Sequence, residues 1–137
     1  MTEPAVPERK QILIVDDEPH VVKYLSTLLE DNGYETSSAA NGKAGLAKAL
    51  AVLPDLVCLD MAMPVESGVR FYRNLRDDPA LAGIPVVVIT AVTGKGGDPE
   101  PFQRFLSTRR QVPPPDAFLP KPIDTDEFLQ TVARLLA

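Results

Sequence analysis

Several residue types are rare in this 137-residue sequence, and each absence excludes a class of protein. Cys58 is the only cysteine, so no disulfide framework can form, and its apolar neighbours indicate a small core residue in a reducing compartment. No stretch approaches the roughly 18 apolar residues of a membrane span. The N-terminal MTEPAVPERKQ also lacks the apolar core of a signal peptide. We therefore expect a cytoplasmic protein that does not enter a membrane.

Positive charge is also scarce. The formal net charge is −5, and no group of lysines and arginines is denser than the pair Arg109 and Arg110. Proteins that bind nucleic acid or anionic membranes directly carry a basic patch, which is missing from this sequence. We expect neither partner.

Length and composition indicate a single domain. A chain of 137 residues that is 45% hydrophobic can bury one sizeable core and has little material for a second. Residues 1–10 are polar, contain two prolines and have no periodicity, which predicts a flexible N-terminal tail. The folded domain is predicted to span residues 11–137.

Short apolar runs alternate with segments of helical periodicity from residue 12 onwards. Three of the runs are apolar on consecutive residues, which is typical of strands covered on both faces in a parallel sheet. The pattern predicts an α/β fold, a doubly wound three-layer sandwich with a five-stranded parallel sheet. The predicted strands are 12–15, 35–39, 55–59, 86–90 and 117–119.

The predicted helices have recognisable ends. Pro19 suits a first helical position, and Gly33 suits the position after the last turn of that helix. A third helix is predicted in residues 67–78, ahead of Pro79. Asp124, with Glu127 three residues later, forms a variant of the capping box before the last helix.

The second helix, within residues 41–54, is predicted less strongly because two glycines lie near its start, the second being Gly45. Asn41 is a suitable N-cap. The apolar residues Leu46, Leu50 and Leu53 are expected on one side of this helix.

Polar residues follow or end four of the predicted strands. They are Asp16 and Asp17 after the first, Asp60 after the third, Thr90 at the end of the fourth and Lys121 after the fifth. In sheets of this kind ligands bind outside the carboxyl ends of the strands. Three carboxylates at one edge would repel one another at a cost of several kcal/mol per close pair unless a cation lies between them. Oxygen ligands without histidine or cysteine favour a hard ion such as Mg²⁺.

A carboxylate beside Mg²⁺, an ammonium and a hydroxyl could accept a phosphoryl group, with Asp60 as the nucleophile. Each residue also has a simpler explanation. Asp16 and Asp17 could cap the next helix, Thr90 could be an ordinary strand residue and Lys121 an ordinary surface residue.

Four stretches together resemble the signature motifs of response-regulator receiver domains, in the order in which the family has them. They are IVDDEP (14–19), PDLVCLDMAMPVESG (54–68), VVVITA (86–91) and FLPKPID (118–124). The resemblance covers essentially the whole predicted domain and implies a flavodoxin-like sheet with strand order 2-1-3-4-5.

The resemblance implies that Asp60 receives a phosphoryl group from a phosphohistidine on a sensor histidine kinase or a phosphotransfer protein, and loses it slowly by itself. It implies that Mg²⁺ is bound by Asp17, by Asp60, by the backbone carbonyl of Ala62 and, through water, by Asp16.

Further roles follow from the same resemblance. Thr90 would turn its hydroxyl toward the phosphoryl group, Lys121 would pair with that group, and Phe118 would rotate and report phosphorylation at the distal surface to a downstream protein. The alternative is a pseudo-receiver, a protein-binding module with the same fold that is never phosphorylated. A small phosphatase with an aspartyl-phosphate would need a cap for which the chain leaves little material.

The sequence departs from the family between Thr90 and Lys121, where it is several residues longer. Residues 94–98 are predicted to be a mobile loop and 99–110 a short fourth helix that faces a partner, before a stiff proline-rich connector ending at residue 115. In the family this surface carries dimer or partner contacts, so the change implies altered partners and leaves a homodimer as one option. Because the sequence stops after the last predicted helix, we expect no output domain.

Overall fold

The computed structural model describes residues 9–60, 65–90, 115–120 and 123–137. These residues form five strands and four helices. Strands and helices alternate along the chain, except that the fourth and fifth strands follow each other with no described helix between them. Along the chain the elements are β1 (Gln11–Val15), α1 (Pro19–Asp31), β2 (Glu35–Ala39), α2 (Gly42–Val52), β3 (Leu56–Asp60), α3 (Val65–Asp77), β4 (Val86–Thr90), β5 (Ala117–Pro120) and α4 (Thr125–Leu136).

All strand pairs are parallel, and the sheet has the order β2-β1-β3-β4-β5. This confirms the predicted fold class and strand order. The strands begin and end within about one residue of the predicted limits. The third strand is displaced by one residue, from 55–59 to Leu56–Asp60, so that Asp60 is the last residue of the strand instead of the first residue after it.

Two apolar clusters cover the two faces of the sheet, as alternate side chains of the central strands point to opposite sides. On one face Val57 and Leu59 of β3 pack with Phe71 of α3. On the other face Leu56 and Cys58 pack with side chains of α1 and α4. The three-layer arrangement follows from these consecutive apolar residues, which have no polar face to turn to water.

The predicted helix ends are confirmed. Pro19 occupies the first turn of α1, and Gly33 has a φ of 92°, a conformation that favours glycine. Asn41 caps α2, where its side-chain oxygen accepts a hydrogen bond of 2.8 Å from the Ala44 amide. Asp124 caps α4 in the same way through the Glu127 amide, at 2.9 Å.

Helix α2 is oriented differently from the simple amphipathic expectation. Its buried residues are the small ones, Gly45 and Ala49, whereas Leu50 is 46% exposed. A Cβ atom on Gly45 would lie 3.1 Å from side-chain carbons of both Phe71 and Val15. The glycine that weakens the helix prediction is therefore needed for the close approach of α2 to β1 and α3.

Arg76, near the end of α3, connects several parts of the fold. Its guanidinium donates hydrogen bonds to the carbonyl oxygens of Ala82 (3.1 Å) and Ile84 (2.6 Å) in the turn before β4, and to the hydroxyl of Tyr72 (3.1 Å). It also forms an ion pair of 3.1 Å with Asp116, immediately before β5.

The same Asp116 oxygen accepts a hydrogen bond of 2.9 Å from the Val86 amide at the start of β4. Arg76 and Asp116 together fix the starts of β4 and β5 relative to the end of α3. The Arg76 side chain is only 8% exposed, whereas that of Asp116 is 37% exposed, so the Arg76 end of this contact network is shielded from water and should contribute to stability.

Two predicted segments cannot be compared with the structure. Residues 1–8 of the predicted tail and residues 94–114 of the lengthened segment lie outside the described residues, so the tail, the loop and the fourth helix stay predictions, as do the domain limits. No helix in the described ranges combines the length and apolar character needed to span a bilayer.

Replacing Arg76 by alanine should destabilise the protein by about 2–4 kcal/mol, because a partly buried network loses its donor and the carbonyl oxygens and Asp116 lose their partner. Urea denaturation measures the loss. Arg70→Ala, on the same helix but exposed, is the control and should change the free energy of unfolding by about 0.5 kcal/mol or less. Equal losses in the two variants would contradict the role of Arg76.

Candidate functional site

The carboxyl ends of β1 and β3 place two aspartates side by side. The two strands are neighbours, and Val15 is the register partner of Leu59. Asp16 follows Val15 and Asp60 follows Leu59, so their backbones lie one step further along adjacent strands, about 5 Å apart.

Both aspartates are almost completely buried, at 1% exposure each. Carboxylates are among the residues that proteins bury least often, since removing their charge from water is costly. The negative charges also repel each other, and a nearby cation lowers that repulsion. A buried acidic pair at the mouth of a parallel sheet is poorly explained by packing alone.

Asp16 has a local structural role as well. Its Oδ1 accepts a hydrogen bond of 2.9 Å from the Glu18 amide and thereby shapes the turn between β1 and α1. Glu18 itself occupies the N-cap position of α1 but makes no side-chain capping hydrogen bond. Asp16 is therefore not the N-cap of α1, but its side chain supports the turn that leads into this helix.

Asp17 does not join the buried pair. It is exposed and lines a groove between α2 and α3, on the opposite side of the sheet from α1. The described residues contain no group of three or more histidine, cysteine, aspartate or glutamate side chains able to hold a metal ion. The register brings Asp16 and Asp60 to adjacent positions, whereas Asp17 is exposed at the groove.

The donor atoms nevertheless have the chemistry that a hard divalent cation requires. All side-chain candidates are carboxylates, and neither histidine nor a thiolate is among them. Ala62, whose carbonyl is the remaining predicted ligand, lies outside the described residues. The residues fit Mg²⁺ by donor type, and two of the carboxylates, those of Asp16 and Asp60, come from adjacent strand ends.

The ends of β4 and β5 reach the same edge of the sheet. Asp60 is the register partner of Ile89, and Thr90 is the partner of Pro120. The backbone of Thr90 therefore lies one step beyond the neighbour of Asp60. Lys121 comes directly after Pro120 in the sequence but is outside the described residues.

Phe118 lies in the middle of β5, opposite Val88 of β4. Its side chain is half-buried and packs against the cluster on the α2 and α3 face. This position agrees with the expected half-buried aromatic, and its proposed rotation stays a prediction.

The pKa of the Cys58 thiol is raised by burial and by the nearby site. Cys58 lies two residues before Asp60 on the same face of β3, and burial together with the Asp60 carboxylate raises the pKa of its thiol to about 12. The thiol is therefore protonated at neutral pH and chemically inert. This confirms the prediction that the only cysteine is a small core residue.

The groove beside Asp17 is a feature that the sequence analysis missed. It has a volume of about 830 Å³ and is lined by residues from both helices, including Lys43, Arg70 and Asn74. The four-residue spacing of Arg70 and Asn74 places them on one helix face, which is a signal available in the sequence. The spacing of Arg70 and Asn74 does not, however, predict that Leu50 of α2 is exposed to solvent.

Comparison with known proteins identifies the architecture and its family. The family model of the response regulator receiver domain matches residues 12–133 of this chain. The chain belongs to the response regulator receiver family. The receiver fold is also present in the chemotaxis response regulator CheY4 of Vibrio cholerae, which is 28% identical, has a TM-score of 0.77, and is matched over 94% of this chain and 100% of that one.

Two curated relatives differ in how much of their length this receiver domain covers. The polar-differentiation response regulator DivK of Brucella anthropi is 32% identical over 127 residues, which are 93% of this chain and 96% of DivK. The DNA-binding dual master transcriptional regulator RpaA of Synechocystis is 36% identical over 126 residues, which are 92% of this chain but only 48% of RpaA. This chain thus spans about half of one relative and nearly all of the other.

Proposed function

We propose that this receiver domain is a phosphorylation-controlled signalling module in which Asp60 accepts a phosphoryl group from a phosphohistidine. The observation that carries the proposal is the position of Asp60, a buried carboxylate that ends the central strand beside a second buried carboxylate, Asp16. Membership of the family supports the same reaction.

In the proposed reaction a carboxylate oxygen of Asp60 attacks the phosphorus atom in line. The new oxygen–phosphorus bond forms as the phosphorus–nitrogen bond to the imidazole of the donor breaks, and the imidazole leaves with the electron pair. The donor is a sensor histidine kinase or a phosphotransfer protein. Water later hydrolyses the acyl phosphate and restores the carboxylate.

The other strand-end residues act on the charge of the phosphoryl group. We assign the hydroxyl of Thr90 and the ammonium group of Lys121 to its oxygens, since Thr90 ends β4 and Lys121 follows β5 in the sequence. Asp17, Asp60, the carbonyl of Ala62 and, through water, Asp16 are proposed to hold Mg²⁺. The ion supplies positive charge that offsets the negative charges of the carboxylates and the phosphoryl group.

Output is proposed to pass through Phe118 to a downstream protein. A half-buried aromatic on the edge strand β5 can adopt more than one packing arrangement at low cost, so that phosphorylation needs only to bias an existing equilibrium. Buried Cys58 is compatible with the expected cytoplasmic, reducing location.

One observation favours the alternative, a pseudo-receiver that binds partners without being phosphorylated. Asp17 is exposed, unlike Asp16 and Asp60, and the described residues contain no group of three side chains able to hold a metal ion. If Asp17 does not join the other two carboxylates when Mg²⁺ is offered, the metal site is incomplete and the transfer reaction is lost. Two measurements separate the two functions.

The first measurement is intact mass after incubation with Mg²⁺ and acetyl phosphate. We expect the wild-type protein to gain one phosphoryl group that is stable in acid and labile to base and hydroxylamine. Asp60→Asn should gain none, whereas Asp31→Asn, an exposed aspartate at the end of α1, should behave as wild type. An unmodified wild-type protein would favour the pseudo-receiver.

The second measurement is thermal unfolding with and without Mg²⁺. A ligand present at about a hundred times its Kd stabilises the folded state by about 2.7 kcal/mol, so the melting temperature should rise by several degrees. Asp17→Ala and Asp60→Asn should reduce or abolish the rise. Glu18→Gln, which removes the adjacent exposed acid, is the matched control. The same rise in Asp17→Ala as in wild type would exclude Asp17 as a ligand.

A further inference from the structure

Helix α2 presents large apolar side chains to solvent. Leu50 is 46% exposed and Leu53, at the end of the helix, is 56% exposed, while Gly45 and Ala49 face the sheet. Three exposed large hydrophobic residues are found in the described part of the chain; one of them, Leu50, belongs to this helix and a second, Leu53, is its C-cap. A helix that served only to cover the sheet would bury its leucines and expose its small residues.

Leu53 also has an unfavourable backbone conformation. Its φ of 53° places it in the left-handed region, and in the described ranges it is the only residue other than glycine with a positive φ. That region is disfavoured for any residue with a Cβ atom, because the Cβ crowds the following carbonyl oxygen. The chain keeps an exposed leucine where glycine would relieve the strain, which indicates a use for the side chain at the surface.

One of these leucines, Leu50, lines the groove between α2 and α3, together with Leu46. Phe71 also lines the groove but is only 1% exposed, so it belongs to the core. The groove volume of about 830 Å³ is within the range of small-molecule sites, but such sites bury most of their ligand. A groove whose wall residue Leu50 is nearly half exposed fits the side of a helix better than a small molecule.

The charged residues around the groove indicate the kind of partner that it can bind. Lys43 on the α2 side and Arg70 on the α3 side are exposed, and neither has an ion-pair partner within the described residues. They form a positive rim in a chain whose formal net charge is −5. Among the described residues that line the groove, Asp17 is the only acidic one.

A second copy of the chain fits this surface poorly. A two-fold symmetric contact through the groove would bring Lys43 and Arg70 of both copies into one small interface, where the four positive charges repel one another. A partner with acidic side chains next to apolar ones removes that repulsion and covers the leucines.

We propose that the α2–α3 groove binds an amphipathic helix of a partner protein, with leucine or aromatic side chains on Leu46 and Leu50 and acidic side chains toward Lys43 and Arg70. The groove shares the exposed Asp17 with the proposed metal site, but Asp16 and Asp60 do not line it. The inference does not rest on phosphoryl transfer.

The test is a selection of displayed helical peptides, randomised over about 16 residues (about 24 Å of helix), against the full chain. Enriched peptides should carry leucine or aromatic residues with helical spacing and a net negative charge. Their affinity is then measured by fluorescence anisotropy for the wild type and for Leu50→Ser, Arg70→Glu and Tyr24→Ser.

Leu50→Ser and Arg70→Glu should each weaken binding by about tenfold or more, as is typical of central contact residues. Tyr24→Ser is the matched control, because Tyr24 has the same 46% exposure but lies on α1, and this variant should bind as wild type. If Leu50→Ser is still phosphorylated like the wild type, its loss of peptide binding does not come from damage to the phosphoacceptor site.

Three results would overturn the proposal: no enriched peptide, enriched peptides with net positive charge, or binding that is unchanged in Leu50→Ser and Arg70→Glu. Self-association of the wild-type protein that Leu50→Ser abolishes would assign the groove to a second copy and would also contradict it.

Discussion

Backbone hydrogen bonds between β1, β3, β4 and β5 hold these strands in parallel and in a fixed register. Because all carboxyl ends of a parallel sheet meet at one edge, this register determines which side chains can lie near Asp60. Asp16 comes from the strand on one side and Thr90 from the strand on the other. A slip of one residue in β1 would exchange Asp16 for Asp17 on the buried side and would turn the apolar residues of that strand to the wrong faces.

The two ends of the sheet differ in the charges that they bring together. At the amino ends, Arg76 and Asp116 are of opposite charge and join α3 to the starts of β4 and β5. At the carboxyl ends, Asp16 and Asp60 carry like charges within the buried interior. The fold therefore tolerates an unfavourable concentration of negative charge at the edge where the site lies, which is characteristic of functional sites.

The sequence predicts the fold well because local signals and the global architecture agree. Consecutive apolar residues in β1, β3 and β4 specify a covered parallel sheet, and Asn41 and Asp124 mark helix starts that the structure confirms. The sequence predicts the orientation of α2 less well. Its direction depends on the close approach of Gly45 to residues distant in sequence, and helical periodicity alone assigns the leucines to the core.

The candidate site is predictable in its location and only partly in its geometry. Strand ends gather Asp16 and Asp60, as the spacing indicates, but the side on which Asp17 lies depends on the path of the turn after β1. That path is shaped by a single side-chain contact to the backbone, which no periodicity encodes. The resemblance to the family supplies the roles of Lys121 and Phe118, which the sequence alone leaves with simpler explanations.

The central claim is that one carboxylate, at the end of β3, receives the phosphoryl group. Borohydride reduction of the phosphorylated protein converts an aspartyl phosphate to homoserine, and tandem mass spectrometry of its peptides then locates the modified residue. The account predicts homoserine at position 60 alone. Homoserine at position 16 or 17 would contradict it, because the register of β1 and β3 would then present a different carboxylate to the donor.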